Sequence, residues 1–456
     1  MDLDENLTNK DQMVDERAFL LTRSGDGDED HHHVFDKIKG ASFTGSVFNL
    51  SCTIAGAGIM SLPSTLKLLG VFPGAALIII AAFLTEASIE MLLRFSKPGM
   101  AFSYGDVMGD AFGTFGRVLL QLSVVINNIG AVIVYLIIIE DVLSGSSSSG
   151  VHHAGILEGW LGEHWWTGRA FVLLVLTAVV FIPLLCFKRI DSLRFTSALS
   201  FALAVVFIAV VIGITIYKLI KGSIDAPRWV PNVTDLSSFL NLFTAVPVLV
   251  CAYLCHFNVH TIENELGESP RMRAVVRTSL ALCATVYIMT GLFGFLLFGD
   301  STLSDVLSNF DTDLGVPYSS LLSDIVRICY VSHIILIFPI VFYPLRLNLD
   351  GLLFPSARPL VLDNSRFALV STGLASIVLS GATLIPSIWI AFEFTGATVG
   401  VLLLFIFPAS ITLKDRHGIA TRKDKILSVL MIILSVFTTV VAIYSDVSSL
   451  LHSSPQ

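Results

Sequence analysis

Apolar positions along this chain gather into eleven runs: 43 to 69, 71 to 95, 117 to 142, 170 to 187, 195 to 219, 239 to 260, 274 to 298, 320 to 345, 367 to 388, 390 to 412 and 426 to 446. A helix needs about 20 apolar residues to cross the hydrocarbon core of a bilayer, so each run predicts a transmembrane helix. The pattern predicts an all-α integral membrane protein: a polar, acid-rich segment 1 to 42, a transmembrane domain 43 to 446 and a short tail 447 to 456. Composition excludes an ordinary soluble domain, since 54% of residues are hydrophobic and 14% charged, where soluble chains carry about 25% charged.

The first run holds the most irregular stretch, Asn49-Leu-Ser-Cys-Thr-Ile-Ala-Gly-Ala-Gly-Ile-Met-Ser-Leu-Pro63. Gly56, Gly58 and Pro63 disfavour an unbroken helix, Pro costing roughly 3 kcal/mol in a helix interior. A break in mid-membrane bares N–H and C=O groups, and is tolerated only against protein or a polar cavity. The half-helix after the break aims its N–H groups at the gap, suiting a carboxylate, and the carbonyls ending the preceding half suit an ammonium or a cation. The other reading is a small-residue surface that lets two helices touch.

Charge sets the expected orientation. Most of the 28 Lys and Arg residues fall on the side of the N-terminus, among them Arg94, Lys97, Lys188, Arg189, Arg271, Arg273, Lys414 and Arg416. The opposite side receives Lys67, Arg169, Lys218, Lys221 and Arg228, with Arg327 inside a span. The bias predicts a cytosolic N-terminus, and an odd number of spans then sends the C-terminus outside or into a lumen. With no cleavable signal in view, the first span is expected to direct insertion. Of three glycosylation sequons, Asn6, Asn49 and Asn232, only Asn232 lies on the predicted outer side.

Several polar residues interrupt the apolar runs. Glu86 and Glu90 share a face of span two; Glu90 is expected to pair with Arg94, while Glu86, one turn deeper, is either a paired carboxylate or a proton carrier. Asn127, Asn128, Gly130 and Tyr135 in span three read as interhelical glue or as substrate contacts. Span six carries Pro247 early and His256, Asn258 and His260 late, a weaker signal for a break. Spans one and six open two five-helix sets of opposite topology, and irregular helices at such positions point to a transporter site. Span eight places Ser332 and His333 near mid-depth, a hydroxyl for a cation and an imidazole that titrates near neutrality. Arg327 is expected to pair with Asp324. Span ten carries Glu393 before Thr395-Gly-Ala-Thr398, a paired surface carboxylate or a gate. The six cysteines all fall in spans and read as packing residues, with no metal site or disulfide framework expected. In the tail, Glu16-Arg-Ala-Phe-Leu-Leu21 fits an acidic dileucine sorting signal read by adaptors, and His31, His32 and His33 read as solvated.

Four stretches in order, Asn49-Leu-Ser-x-x-Ile-x-Gly-x-Gly-Ile59, Asn128-Ile-Gly-Ala131, Cys255-His256 and Pro339-Ile-Val-x-x-Pro-x-Arg346, resemble the amino acid/auxin permease family. They are most similar to its sodium-coupled neutral amino acid transporter branch and the vacuolar amino acid transporters of plants and fungi. The resemblance implies an eleven-span LeuT-like fold, a 5+5 inverted repeat plus one helix. It implies that Ala55, Gly56, Ala57, Gly58 and Ile59 receive the substrate carboxylate through backbone N–H groups. Leu249, Val250, Cys251, Ala252 and Tyr253 would supply carbonyls for the ammonium and part of the pocket. Sodium-dependent relatives hold a cation between span one and a span-eight hydroxyl, here near Ser332. Where they carry Asn, this chain has Cys52, a poor sodium ligand, which moves the expectation from sodium to protons with Glu86 and His333 as carriers.

The function expected is therefore secondary active transport of an amino acid by alternating access, driven by a proton or sodium gradient with no cofactor, in a vacuolar or endolysosomal membrane, with plasma and ER membranes as alternatives. A nutrient-sensing receptor of transporter descent is the second reading. An enzyme is disfavoured: no Gly-x-Ser-x-Gly or His-Glu-x-x-His pattern accompanies the histidines.

Overall fold

The computed structural model describes residues 40–148, 151–267, 269–355, 357, 360–384 and 396–452. The sorting signal at Glu16 to Leu21, His31 to His33, Asn6, Pro386, Glu393 and Thr395 lie outside these residues.

The first span is two helices. α1 (Phe43–Ile54) is capped by Ser42, whose hydroxyl accepts from Gly45 N; after a 3-10 turn (Ala57–Ser61), α2 (Leu62–Leu69) continues at 52° to it. Pro63 does not break a helix but stands in the first turn of α2, where its missing N–H has no acceptor to lose. Gly70, at φ +78°, turns the chain straight into α3 (Val71–Ser96) and lies so near Val230 that a Cβ would fall 2.7 Å from its Cα.

α4 (Tyr104–Ser144) bends at Gly113 and leads to a two-strand hairpin, β1 (Ser146–Ser148) and β2 (Val151–His153), and then to α5 (Ile156–Leu161). α6 (Arg169–Leu176) passes through a π turn into α7 (Ile182–Leu185), followed by α8 (Arg194–Ile220). α9 (Leu236–Asn241) and a 3-10 turn (Leu242–Thr244) open the sixth run, whose remainder is two helices, α10 (Ala245–Tyr253) and α11 (His256–Leu266). The break falls at Leu254 and Cys255 rather than at Pro247, which sits in the first turn of α10, where proline is tolerated. α12 (Ser269–Phe298), α13 (Ser319–Leu353), α14 (Asn364–Leu384), α15 (Phe407–Lys414) and α16 (Arg422–His452) complete the chain.

Eight helical segments among the described residues are long and apolar enough to cross a membrane, and the bent pair α1–α2 makes a ninth. Two shorter apolar helices, Arg169–Leu185 and Thr398–Lys414, coincide with the fourth and tenth runs. Side chains such as Phe72, Phe83, Leu174, Phe195, Ile220 and Leu384 are exposed on the outside, a lipid-facing surface for an integral membrane protein. Buried at the centre, α1 packs against α8, α11, α12 and α13.

Two expected ion pairs form differently. Glu90 faces Arg273 on α12, and Arg94 reaches Asp424 on α16 at 2.8 Å. The Asp424 carboxylate is the more sheltered partner, 18% exposed against 40% for Glu90, and less screened by water. Arg327 turns from Asp324 to Asp311 (2.7 Å) and donates to Val142 O and Ala154 O, while Asp324 accepts from the Trp160 indole. A guanidinium has five donors, and this nearly buried position offers acceptors from three segments.

Arg346 is fully buried on α13. It donates to Leu185 O (2.9 Å) and Phe187 O (3.1 Å), beyond the end of α7, and lies 4.0 Å over the Phe367 ring of α14. Arg346→Met keeps the volume but leaves two carbonyls without a donor, at about 1–3 kcal/mol each. The variant should unfold at a clearly lower temperature in detergent than the wild type. An equal midpoint would mean those carbonyls find other donors.

Candidate functional site

The break after α1 is imposed by what surrounds it. Ala55 turns away at ψ 69°, and Gly56 is extended at φ −97°, ψ −150°. A Cβ at position 56 would collide with the Tyr135 hydroxyl of α4, and one at 58 would fall 3.0 Å from Ala252 Cα of α10. Both glycines are thus required by close approach of neighbouring elements, not by a left-handed backbone.

Three side chains cap the carbonyls that the break lays bare. Tyr287 Oη of α12 donates to Ile54 O (2.7 Å), a ring nitrogen of His333 on α13, Nε2, faces Ala55 O (2.8 Å), and Tyr330 Oη donates to Ala57 O (3.3 Å). The Tyr287 phenol also lies 2.6 Å from Ala252 O, near the end of α10. One phenol has one proton, so two carbonyls from two broken spans share it, and their converging negative ends can accept from a cation. Across the gap, no backbone carbonyl among the described residues accepts from Ala57 N or Gly58 N, which open the turn leading into α2. These amides form the positive end of a half-helix and suit an anion.

The second break lies beside the first. Leu254 is extended (φ −74°, ψ 106°), Cys255 has φ −135°, and the carbonyls of Val250 to Tyr253 end a helix that offers them no partner of its own. Asn258 ties the breaks together by donating from Nδ2 to Thr53 Oγ1 (3.1 Å) and to Ile340 O (3.2 Å).

A cavity of about 50 Å³ lies between them. Gly56, Ala57, Gly58 and Cys251 line it, together with Thr53, Ile54, Leu254 and Phe257. Of the remaining residues the resemblance points to, Ala55 and Ile59 are buried behind this lining, and Leu249, Val250, Ala252 and Tyr253 are buried along α10. α4 contributes Asn127, Gly130 and Tyr135. Asn127 therefore faces the cavity as well as bonding Asn128 (3.0 Å), which donates to Val341 O.

The four coupling candidates separate clearly. Glu86 pairs with Arg277 at 2.6 Å, between α3 and α12 and away from the cavity. Cys52 donates its thiol proton to Ser197 O of α8 (3.0 Å), and Ser332 is not part of the cavity lining. Only His333 touches the break. Its Nδ1 lies 2.8 Å from Ser200 Oγ and 2.9 Å from Ser200 O, and the same hydroxyl lies 3.1 Å from His333 O. Tyr287, Tyr330 and Ser200 are the functional residues the sequence did not disclose. Each contributes one hydroxyl to an apolar run, and nothing in the spacing of its neighbours marks it.

Residues 39–449 match the family described as transmembrane amino acid transporter protein. The chain belongs to this family. It is 61% identical to amino acid transporter AVT6A of Arabidopsis thaliana over 424 residues, covering 93% of this chain and 92% of that one. It is 41% identical to AVT6C of the same plant over 411 residues, covering 90% and 94%. These relatives are named as transporters, not enzymes. Its fold is similar to that of a manganese transporter of Eremococcus coleocola (12% identity, TM-score 0.57, 95% and 92% covered). It is also similar to a Na+-coupled sialic acid symporter (13% identity, TM-score 0.52, 95% of each covered). The protein is thus a multi-pass member of an amino acid transporter family, with an unwound pair of helices at its centre.

Gly56→Ala should cut amino acid uptake by about tenfold or more, because its methyl meets the Tyr135 hydroxyl. Gly56→Ala combined with Tyr135→Phe should recover part of the loss, a positive coupling between contacting residues. A double variant as inactive as the single one would show that the hydroxyl is not the obstacle.

Proposed function

We propose that this protein is a secondary active transporter that carries amino acids across a membrane by alternating access, coupled to a proton gradient. The observation that carries the reading is the pairing, around one cavity, of unpartnered amides at Ala57 and Gly58 with the carbonyls of Ile54 and Ala252 that share the Tyr287 proton. A zwitterion presents the complement of both. In this reading the two shorter apolar helices are the fourth and tenth of eleven spans in a LeuT-like arrangement, a 5+5 inverted repeat plus one. The breaks in spans one and six, the first of each half, support it.

Protons are favoured over sodium by His333. With a neutral ring, Nε2–H donates to Ala55 O and Nδ1 accepts from the Ser200 hydroxyl. With a protonated ring, Nδ1–H donates to Ser200 O and the hydroxyl turns to His333 O. Both charge states find partners without a change of backbone. The groups in contact with the ring are Tyr330 on its own helix, Ala55 at the end of α1 and Ser200 on α8. None of these bears a formal charge, so a proton on the ring is felt by the Ala55 carbonyl directly.

The distribution of Lys and Arg supports a cytosolic N-terminus, and the dileucine pattern Glu16 to Leu21, read by an adaptor as partner, supports a vacuolar or endolysosomal membrane. The relatives named above are transporters, which gives the receptor reading no support.

Purified protein in liposomes should accumulate labelled amino acids when a pH gradient is imposed, moving them towards the alkaline side, and a sodium gradient should add nothing. His333→Gln should abolish accumulation driven by the pH gradient while exchange of amino acid for amino acid continues. Accumulation driven by sodium, or pH-driven accumulation undiminished in His333→Gln, would overturn the coupling assigned here.

A further inference from the structure

A second and larger cavity, about 370 Å³, opens on the face that carries Ala41 and Glu265, between the start of α4, the end of α11 and the end of α13. Its volume is in the range of ligand pockets, whereas the central cavity holds about 50 Å³. Phe257, in the first turn of α11, lines both, and it is the one residue their linings share.

On the opposite face Arg327 and Asp311 form a nearly buried ion pair joined to Val142 and Ala154, and Lys67 donates to Thr302 O, so described residues of several segments are tied together there. Among the described residues, Phe257 is thus the side chain that stands at the border of the central cavity and the open chamber.

We infer that Phe257 is the gate of the translocation path on this face, and that the larger cavity is the vestibule through which an amino acid passes to or from the central site. Two features let the gate move. α11 begins directly after the break at Leu254 and Cys255, so it can swing about that joint while α10 stays seated. The present seat of α11 is also incompletely bonded. His260, on the vestibule side one turn beyond Phe257, has both ring nitrogens without a partner, and His256 has Nδ1 without one. A buried ring nitrogen that has exchanged water for nothing opposes that seat. A swing of α11 away from Tyr104, whose ring stacks on His260, would bring those nitrogens to vestibule water and carry Phe257 out of the passage.

This inference rests on the transport reading for its meaning, but its test does not need transport. Cys251 lines the central cavity and supplies a native reporter. A bulky hydrophilic maleimide should modify Cys251 slowly in the wild-type protein, at least about tenfold faster in Phe257→Ala and more slowly in Phe257→Trp. Cys186, exposed elsewhere, should react equally in all three, with sites and rates read by mass spectrometry. Cys251 rates that ignore the side chain at 257 would overturn the gate whether or not the protein transports. Rates that follow the side chain in a protein with no amino acid flux would leave the gate standing and remove the transport reading instead.

Discussion

The structure turns on the need to satisfy main-chain groups that an interrupted helix exposes in a place without water. Each bare carbonyl in an apolar medium costs several kcal/mol. The three capping donors come from α12 and α13, so the break cannot exist without these two helices in register with α1. The same demand explains the polar atoms in an otherwise apolar core. Asn258 and Ser200 serve backbone and side-chain groups at or beside the break, and Asn128 does the same for Val341 on α13. A core assembled on such bonds is specific, because an apolar substitute at any one of these positions leaves a partner unpaired.

From that constraint follows a division of labour between the two breaks. The first is rigidly surrounded, with Gly56 against Tyr135 and Gly58 against Ala252, so it presents its amides and carbonyls in fixed positions. The second is held by the Tyr287 phenol at the end of α10 and, on the α11 side, by Asn258 reaching out to Thr53 and Ile340. A fixed edge beside an adjustable one suits the carrier proposed here, whose site must keep its chemistry while the route to it changes.

Much of this was legible in the chain. Nine of the apolar runs coincide with spanning segments among the described residues, two others coincide with shorter apolar helices, and Gly56, Gly58 and Pro63 mark the first break because each is a local departure from helix propensity. The second break left no such mark. Leu254 and Cys255 are ordinary helix residues, and Pro247, which does catch the eye, stands where a helix tolerates it. That break is made by tertiary bonds, which no local window contains. The ion pairs teach the same lesson: spacing along one helix proposed Arg94 for Glu90 and Asp324 for Arg327, but in a bundle the better-sheltered carboxylates of neighbouring segments prevail. Tyr287 and Tyr330 were hidden for a related reason, since a tyrosine in an apolar run reads as core until the position of its hydroxyl is known.

The bond that joins the two breaks also limits how firmly they are joined. A hydrogen bond contributes only about 1 kcal/mol net when a competing partner is at hand, and much more when none is. The Tyr287 phenol serves both Ala252 O and Ile54 O, the latter also accepting from Gly56 N, and so clamps spans one and six together. In the proposed reading an ammonium brings three protons to the same two oxygens, and the phenol then becomes one donor among several. A ligand shifts a conformational equilibrium only by its unequal affinity for the two states, and here the inequality has a physical source. In the proposed reading the occupied site tolerates separation of the two half-helices better than the unoccupied one, so the group proposed to recognise the substrate would also make the movement of the second break depend on the substrate's presence.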